Sequence, residues 1–322
     1  MKFAVIGTNF ISDNFADAIK TVGKHEITAV YSRGKETGEA FSRKHGIERS
    51  FTDYREMLSA GGFDAVYVAS PTLLHAEHSM LAMESGYHVL CEKMMASGIE
   101  EFYEMESCMN KTGKVLLEAM RPSFDPAYDL IRKNLHRIGK IRRADLSFCQ
   151  YSSRYDRFKS GILTNAFNPK MKNSALSDIG IYPLNIALSL FGYPQDFKCA
   201  SVLLDNGFEG EGGLLLKYAD KTVTVSYSKI SDGHTPSVIE GELGSILIDK
   251  LTQPTELTLI SKSKEKELLP LSPVENNMIY EIEAFADMCC GARSHVPYLE
   301  ITEKAQRIVD VVYTLEGISD HF

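Results

Sequence analysis

Asp178 and Tyr182 stand four residues apart at the start of a helical pattern, a spacing that puts both side chains on one face. A tyrosine hydroxyl can relay a proton or hydrogen-bond a substrate oxygen, and a carboxylate can hold an ammonium or a sugar hydroxyl in place. The same pair also fits a plain helix start, with Asp178 as a capping charge and Tyr182 as packing. A third residue able to do chemistry, Lys93, follows the short apolar run 88–91 and Glu92. At the carboxyl end of a parallel strand, where ligands gather in an open α/β sheet, a lysine reaches the binding crevice, and desolvation there lowers its pKa toward working pH. Chemistry at a carbinol or carbonyl carbon needs such a group to take or give the proton on oxygen, with Asp178 and Tyr182 facing it across a cleft. The plainer alternative is that a lysine after a strand is a solvated surface charge.

A cofactor end is written near the first strand. Phe3-Ala4-Val5-Ile6-Gly7 runs a strand into a glycine, and a helix start beyond it offers unpaired amides and a positive dipole end to a pyrophosphate. Of a G-x-G-x-x-G fingerprint only the first glycine is present, in Gly7-Thr8-Asn9-Phe10-Ile11-Ser12. Asn9 stands where backbone approaches phosphate and Ser12 where helix packs on strand. Asparagine tolerates positive φ and serine is small, so the turn is feasible; the alternative is an ordinary βα turn capped by Ser12. The second strand ends Val30-Tyr31-Ser32-Arg33-Gly34-Lys35, without the acid that an NAD-selective site presents to the ribose. Arg33, with Ser32 and Lys35, suits a 2′-phosphate, so NADP is expected ahead of NAD. His75 and His78 are three apart on a helical pattern, but no further Cys, His or carboxylate completes a metal set, and no metal is expected. Arg121, near the change of pattern described next, either binds a polar or anionic substrate group or ties the domains together.

The elements that must position these residues fall into two styles. Residues 1–118 alternate apolar β-branched runs (2–6, 27–32, 65–69, 88–91 and 115–117) with amphipathic stretches, the pattern of βαβ units and a parallel sheet buried on both faces. After Arg121 and Pro122 come a helix over 126–135, an alternating strand over 142–150 and a helix over 179–191. Strands over 198–204, 213–218, 222–228, 245–248 and 255–260 then read as a largely antiparallel sheet, and helices over 278–289 and 303–315 close the chain. The expected fold is α/β: a doubly wound parallel sheet of Rossmann type over 1–120, and an α+β domain with a large, mostly antiparallel sheet over 121–322. The final helix is a candidate to pack back on the first domain.

Three segments resemble one family. Ala69-Ser70-Pro71-Thr72-Leu73-Leu74-His75, Gly86-Tyr87-His88-Val89-Leu90-Cys91-Glu92-Lys93 and Ala175-Leu176-Ser177-Asp178-Ile179-Gly180-Ile181-Tyr182-Pro183-Leu184 are similar to the strand-end and Asp-Ile-Gly-x-Tyr motifs of the Gfo/Idh/MocA oxidoreductases. The likeness is greatest to the glucose-fructose oxidoreductase and dihydrodiol dehydrogenase branch, and it runs through nearly the whole chain. It implies an NAD(P)-dependent dehydrogenase or reductase acting on the CH–OH group of a sugar, polyol or related compound. It implies Lys93 as the acid/base or carbonyl-polarising group, with Tyr182 and Asp178 beside it. The cofactor would lie along Gly7, Thr8, Asn9, Phe10, Ile11, Ser32, Arg33, Ser70, Pro71, Thr72, His75, Glu92 and Lys93, with His75 near the nicotinamide or bracing the loop that carries it. Met94 replaces the family proline after the lysine, Asn9 replaces the second glycine, and Lys172-Asn173-Ser174 stands where relatives often carry glycines. A proline would stiffen the turn, so Met94 is expected to leave Lys93 less well preorganised. The rival reading is a catalytically weak or inactive NAD(P)-binding regulatory protein on the same scaffold.

Bulk properties narrow the partners. The chain has 322 residues, 44% of them hydrophobic, enough for two cores, and its net charge of -8 argues against a nucleic-acid surface. The six cysteines are scattered but for the vicinal Cys289 and Cys290, a pattern that suits reduced thiols better than a disulfide framework or a zinc site. No secretory signal and no apolar run of about 20 residues is read, so a cytoplasmic protein without a membrane span is expected. An exposed face on the C-terminal sheet, paired between subunits in the family, points to a homodimer or homotetramer.

Overall fold

The structure is a computed structural model that describes residues 1–322 and divides into two compact units: Met1–Arg121 with Asn276–Thr302, and Pro122–Glu275 with Glu303–Phe322. In the first unit six strands, β1 (Lys2–Ile6), β2 (Glu26–Tyr31), β3 (Arg49–Phe51), β4 (Ala65–Val68), β5 (His88–Glu92) and β6 (Leu116–Ala119), form one sheet in the order β3-β2-β1-β4-β5-β6. Every pairing in it is parallel. The crossovers carry α1 (Phe10–Val22), α2 (Lys35–His45), α3 (Tyr54–Ala60), α4 (His75–Glu84) and α5 (Ile99–Thr112).

Period-two alternation divides these strands between two layers. Ala4 and Ile6 of β1, Val66 and Val68 of β4, and Val89 and Cys91 of β5 share a core with Met57, Met83, Phe102 and Met105 from α3, α4 and α5. The intervening residues turn to the other face: Phe3 packs edge-on against Phe15 of α1, and Phe15 stacks on Tyr67 of β4. Glu92 of β5 therefore follows Leu90 onto the Tyr67 face, whereas Glu118, two residues after Leu116 on β6, belongs to the opposite one.

The second unit has α6 (Pro126–Asn134), β7 (Ile141–Cys149), α7 (Tyr155–Lys159) and α8 (Ile181–Phe191). They are followed by β8 (Asp196–Leu203), β9 (Glu209–Lys217), β10 (Thr222–Ser228), β11 (Ser237–Gly241), β12 (Gly244–Ile248), β13 (Leu257–Ser261) and β14 (Lys266–Leu268). These strands make an eight-stranded sheet ordered β14-β13-β12-β11-β7-β10-β9-β8, antiparallel except for the β7–β10 pair. The chain ends with α9 (Met278–Cys289), in the first unit, and α10 (Val296–Leu315), whose first turns belong to the first unit and the rest to the second. Tyr313 of α10 sits with the second unit, its hydroxyl 3.0 Å from the Ser174 hydroxyl.

Most expected elements occur within a residue or two. The short strands β3, β11 and β14 were not expected; β9 begins earlier than 213; and α10 begins at Val296, where Pro297 sits among the first helical residues. No helix is long and apolar enough to cross a membrane.

Candidate functional site

In the first unit the sheet order reverses between β1 and β4, and in an open parallel sheet the crevice outside the carboxyl ends of the strands at that reversal is where ligands bind. Gly7 leaves β1 at φ 95°, and a Cβ there would lie 2.5 Å from the Ala69 carbonyl oxygen, so only glycine lets the two strand ends approach this closely. Asn9 corrects the sequence expectation. It lies at φ −91°, in extended rather than left-handed backbone, and is the N-cap of α1. Its Oδ1 accepts from the amides of Ile11 (3.0 Å) and Ser12 (3.3 Å), and its Nδ2 donates to Ala69 O at 3.0 Å. The helix thus starts before Ser12, which is buried inside it instead of capping it. A diphosphate at this terminus meets the dipole end with the Asn9 cap in place, not the bare amides of Ile11 and Ser12.

At the end of β2, Ser32 is buried, with its hydroxyl 2.7 Å from that of Thr37, while Arg33 is exposed and close enough for its charge to lower the pKa of His78, below burial as a cause. Thr8 is half-buried and Phe10 is 64% exposed. Pro71 caps a short 3-10 turn, Thr72–Leu74, that leads into α4. These residues fit a nicotinamide dinucleotide: a glycine cradle at the reversal, a helix terminus beside it, and a cation after β2 in place of an acid.

His75, the first residue of α4, is buried and not an exposed helix histidine. Its Nδ1 lies 2.8 Å from Met94 O and its Nε2 2.8 Å from Ser70 O, so the ring braces the segments that leave β4 and β5. Burial lowers its pKa, against the pull of the two carbonyls. Ser70 also places its hydroxyl 3.0 Å from His78 Nδ1.

Lys93 is half-buried at the end of β5, and its peptide bond to Met94 is cis. The segment beyond it is held by main-chain hydrogen bonds on two sides: Met94 O by His75, and Met95 N by Glu118 Oε1 at 3.0 Å. Glu118 in turn accepts from Thr302. Where the family has a proline after the lysine, the backbone here is thus held by residues of other elements. Glu92 points into the interior, where it accepts from the Tyr67 hydroxyl. Burial raises its pKa, while Tyr67, Lys93 and Arg121 pull it down. Arg121, half-buried in the 3-10 turn after β6, also acts through its charge on Glu281 of α9. Glu281 is buried, with no hydrogen bond to either carboxyl oxygen.

In the second unit Asp178 and Tyr182 lie on consecutive pieces of helix. Asp178 is in a π-helical turn, Leu176–Gly180, which runs directly into α8 carrying Tyr182. Such wide turns recur at functional sites. Here the reason for the turn is local. Glu209 of β9, fully buried, accepts from Leu176 N at 2.8 Å, from Tyr227 Oη at 2.7 Å and from Ser201 Oγ at 3.0 Å. A Cβ on Gly180 would stand 2.6 Å from the Tyr227 ring, which explains the glycine of the Asp-Ile-Gly motif. Burial raises the Glu209 pKa, and its hydrogen bonds offset part of that rise. Asp178 Oδ2 forms an ion pair at 2.8 Å with Lys229. Tyr182 is buried and packs edge-on against Phe148. Lys172, in the Lys172-Asn173-Ser174 stretch, has φ 49°, left-handed backbone that explains why glycine suits this place.

The structure thus groups Gly7, Asn9, Ser70, His75, Glu92 and Lys93 around the strand ends of the first unit, and Asp178 and Tyr182 around one helix junction of the second. Glu209, Lys229 and Phe167 were missed because an isolated Glu, Lys or Phe in a strand or loop carries no motif; only the fold brings them to Asp178.

Comparisons with known proteins agree with this geometry. Residues 1–120 match the GFO_IDH_MocA family model, described as "Oxidoreductase family, NAD-binding Rossmann fold". The chain is 41% identical over 288 residues to scyllo-inositol 2-dehydrogenase (NADP(+)) IolU of Bacillus subtilis, covering 89% of this chain and 88% of the relative. It is 25% identical to a trans-1,2-dihydrobenzene-1,2-diol dehydrogenase of Mus musculus, over 82% of this chain and 79% of that one. Its fold matches that of KijD10, a 3-ketoreductase from Actinomadura kijaniata solved with NADP and TDP-benzene, with a TM-score of 0.85 at 23% identity over 98% of this chain and 97% of that one. The protein belongs to the Gfo/Idh/MocA family of nicotinamide-dependent oxidoreductases, on the side of it that holds the dihydrodiol dehydrogenases.

Proposed function

We propose that this protein is an NADP-preferring dehydrogenase or reductase of a polyol, sugar or related hydroxy or carbonyl compound. Lys93 and Tyr182 handle the proton on the reacting oxygen, and Asp178 orients the substrate. The observation that carries the reading is the anchoring of Lys93: a half-buried lysine at a strand end whose following peptide is gripped by His75 and Glu118. A catalytic group must be held close to its working geometry, and a lysine on a slack loop is not. When bound, the nicotinamide supplies the acceptor or donor of hydride.

The chain's own residues do the remainder. Lys93 gives a proton to a developing alkoxide or takes one from a hydroxyl, and the Tyr182 phenol is its partner in that exchange. Asp178, the ion-pair partner of Lys229, accepts a hydrogen bond from a second hydroxyl of the substrate. Arg121 contacts a polar substrate group. Arg33, with Ser32 beside it, supports NADP over NAD, as does the cofactor named for the Bacillus subtilis relative. The name of that relative supports a cyclic polyol as the first substrate to try. Cytoplasmic location and a homodimer or homotetramer complete the reading. Val202, Leu203 and Leu215, exposed on β8 and β9, support a sheet face covered by a second copy.

The test is turnover of NADP+ with scyllo-inositol and a panel of polyols and sugars, for wild type and the Lys93→Met, Tyr182→Phe and Asp178→Asn variants. Lys93→Met should lose about a hundredfold or more in kcat. Wild-type turnover by that variant would refute the assignment.

A further inference from the structure

Lys229 directly follows β10 and its side chain is 4% exposed. Its Nζ lies 2.8 Å from Asp178 Oδ2 and donates to Ala166 O at 2.8 Å. The rings of Phe167 and Phe208 wall it in, with centroids 5.0 and 5.1 Å from the nitrogen. An ammonium taken out of water is costly unless paired and hydrogen-bonded, and this one meets a carboxylate, a carbonyl and two aromatic faces.

The walls themselves are fixed. Both phenylalanines are fully buried and tilted against each other at 4.9 Å, and Asn206 Nδ2 donates to Phe167 O at 2.8 Å. The backbone under Asp178 is fixed too, by Glu209 on Leu176 N and by Gly180 against Tyr227. The Asp178 side chain itself is 35% exposed. The enclosed amine engages one of its carboxylate oxygens and restricts rotation of that side chain.

We infer that Lys229 is a positioning residue: an aromatic-walled ammonium that sets the direction in which the Asp178 carboxylate is presented to a substrate hydroxyl. It acts through Asp178 and does not itself reach the reacting atoms. The inference rests on the substrate-orienting role given to Asp178 above.

Steady-state kinetics with scyllo-inositol and NADP+ on Lys229→Met, Lys229→Arg, Asp178→Asn and the Lys229→Met/Asp178→Asn double variant test it. Lys229→Met should raise KM for the polyol about tenfold while KM for NADP+ stays within about twofold and kcat falls less. Lys229→Arg should recover most of the loss. Lys229→Met should cost nothing further in the Asp178→Asn background, because the group it aims is already gone. Additive losses, or an arginine variant no better than methionine, would overturn the inference while leaving Asp178 its role. If Asp178→Asn alone behaved as wild type, the functional reading of Asp178 would be what failed. A readout that needs no turnover is the crystal structure of Lys229→Gln: the Asp178 side chain should leave its wild-type rotamer, and its retention there would refute the proposal.

Discussion

The phenol of Tyr67 donates its hydrogen bond to the carboxylate of Glu92, the residue immediately before Lys93. Both partners are buried, and burial pushes the ionised form of each out of favour. Tyr67→Phe removes the donor and leaves a buried carboxyl with one partner fewer. The expected cost is about 1–3 kcal/mol of stability, read as a lower denaturant midpoint at unchanged slope.

Glu281 should make stability depend on pH in a direction opposite to most carboxylates. Burial first, then the nearby charge of Glu92, raise its pKa well above the usual 4.5, with Arg121 opposing. A carboxyl that holds its proton more tightly when folded stabilises the fold below about pH 4.5 and penalises it increasingly as pH rises toward the folded pKa. Glu281→Gln keeps the shape without the charge, so it should match wild type near pH 4. At neutral pH it should gain on the order of 1–3 kcal/mol. Thermal melts of both proteins across that range check the crossing.

Gly180→Ala should be costly although alanine favours helices. The added methyl would stand 2.6 Å from the Tyr227 ring, whose hydroxyl is tied to Glu209. Overpacking of this kind costs roughly 1–3 kcal/mol, and the displaced turn carries Asp178. The variant is expected to melt lower and to raise KM for the polyol. Recovery of the melting temperature on adding Tyr227→Leu would locate the clash.

Arg33→Asp should reverse cofactor preference. An exposed guanidinium after β2 suits a 2′-phosphate, whereas an acid there repels it and bonds ribose hydroxyls. Loss of a charge-assisted hydrogen bond worth about 1.5–3 kcal/mol corresponds to roughly 10–150-fold in affinity for NADP+. Calorimetric titration with NADP+ and NAD+ measures both sides of the change.

The parallel sheet was legible because buried strands such as Ala65–Val68 are wholly apolar, a pattern few other elements share. The edge strand Arg49–Phe51 was not, since three residues that include Arg and Ser carry no periodic signal. Lys93, Asp178 and Tyr182 were singled out from strand-end position, helical spacing and motif likeness. The residues that hold them were not: Glu209 and Lys229 come to Asp178 through sheet pairing and loop return, which no local pattern encodes. Asn9 was read as a substitute for glycine when its side chain makes it a helix cap, two properties of one residue that only backbone geometry separates.

The grip on the segment after Lys93 falls on a carbonyl oxygen of residue 94, which every amino acid supplies, and an amide of residue 95, which every amino acid but proline supplies. The two anchors, His75 and Glu118, sit on other elements. Side-chain identity at position 94 is thereby uncoupled from the hold on this backbone, so exchanging Met94 disturbs it less than exchanging a histidine or a glutamate that stands on another element.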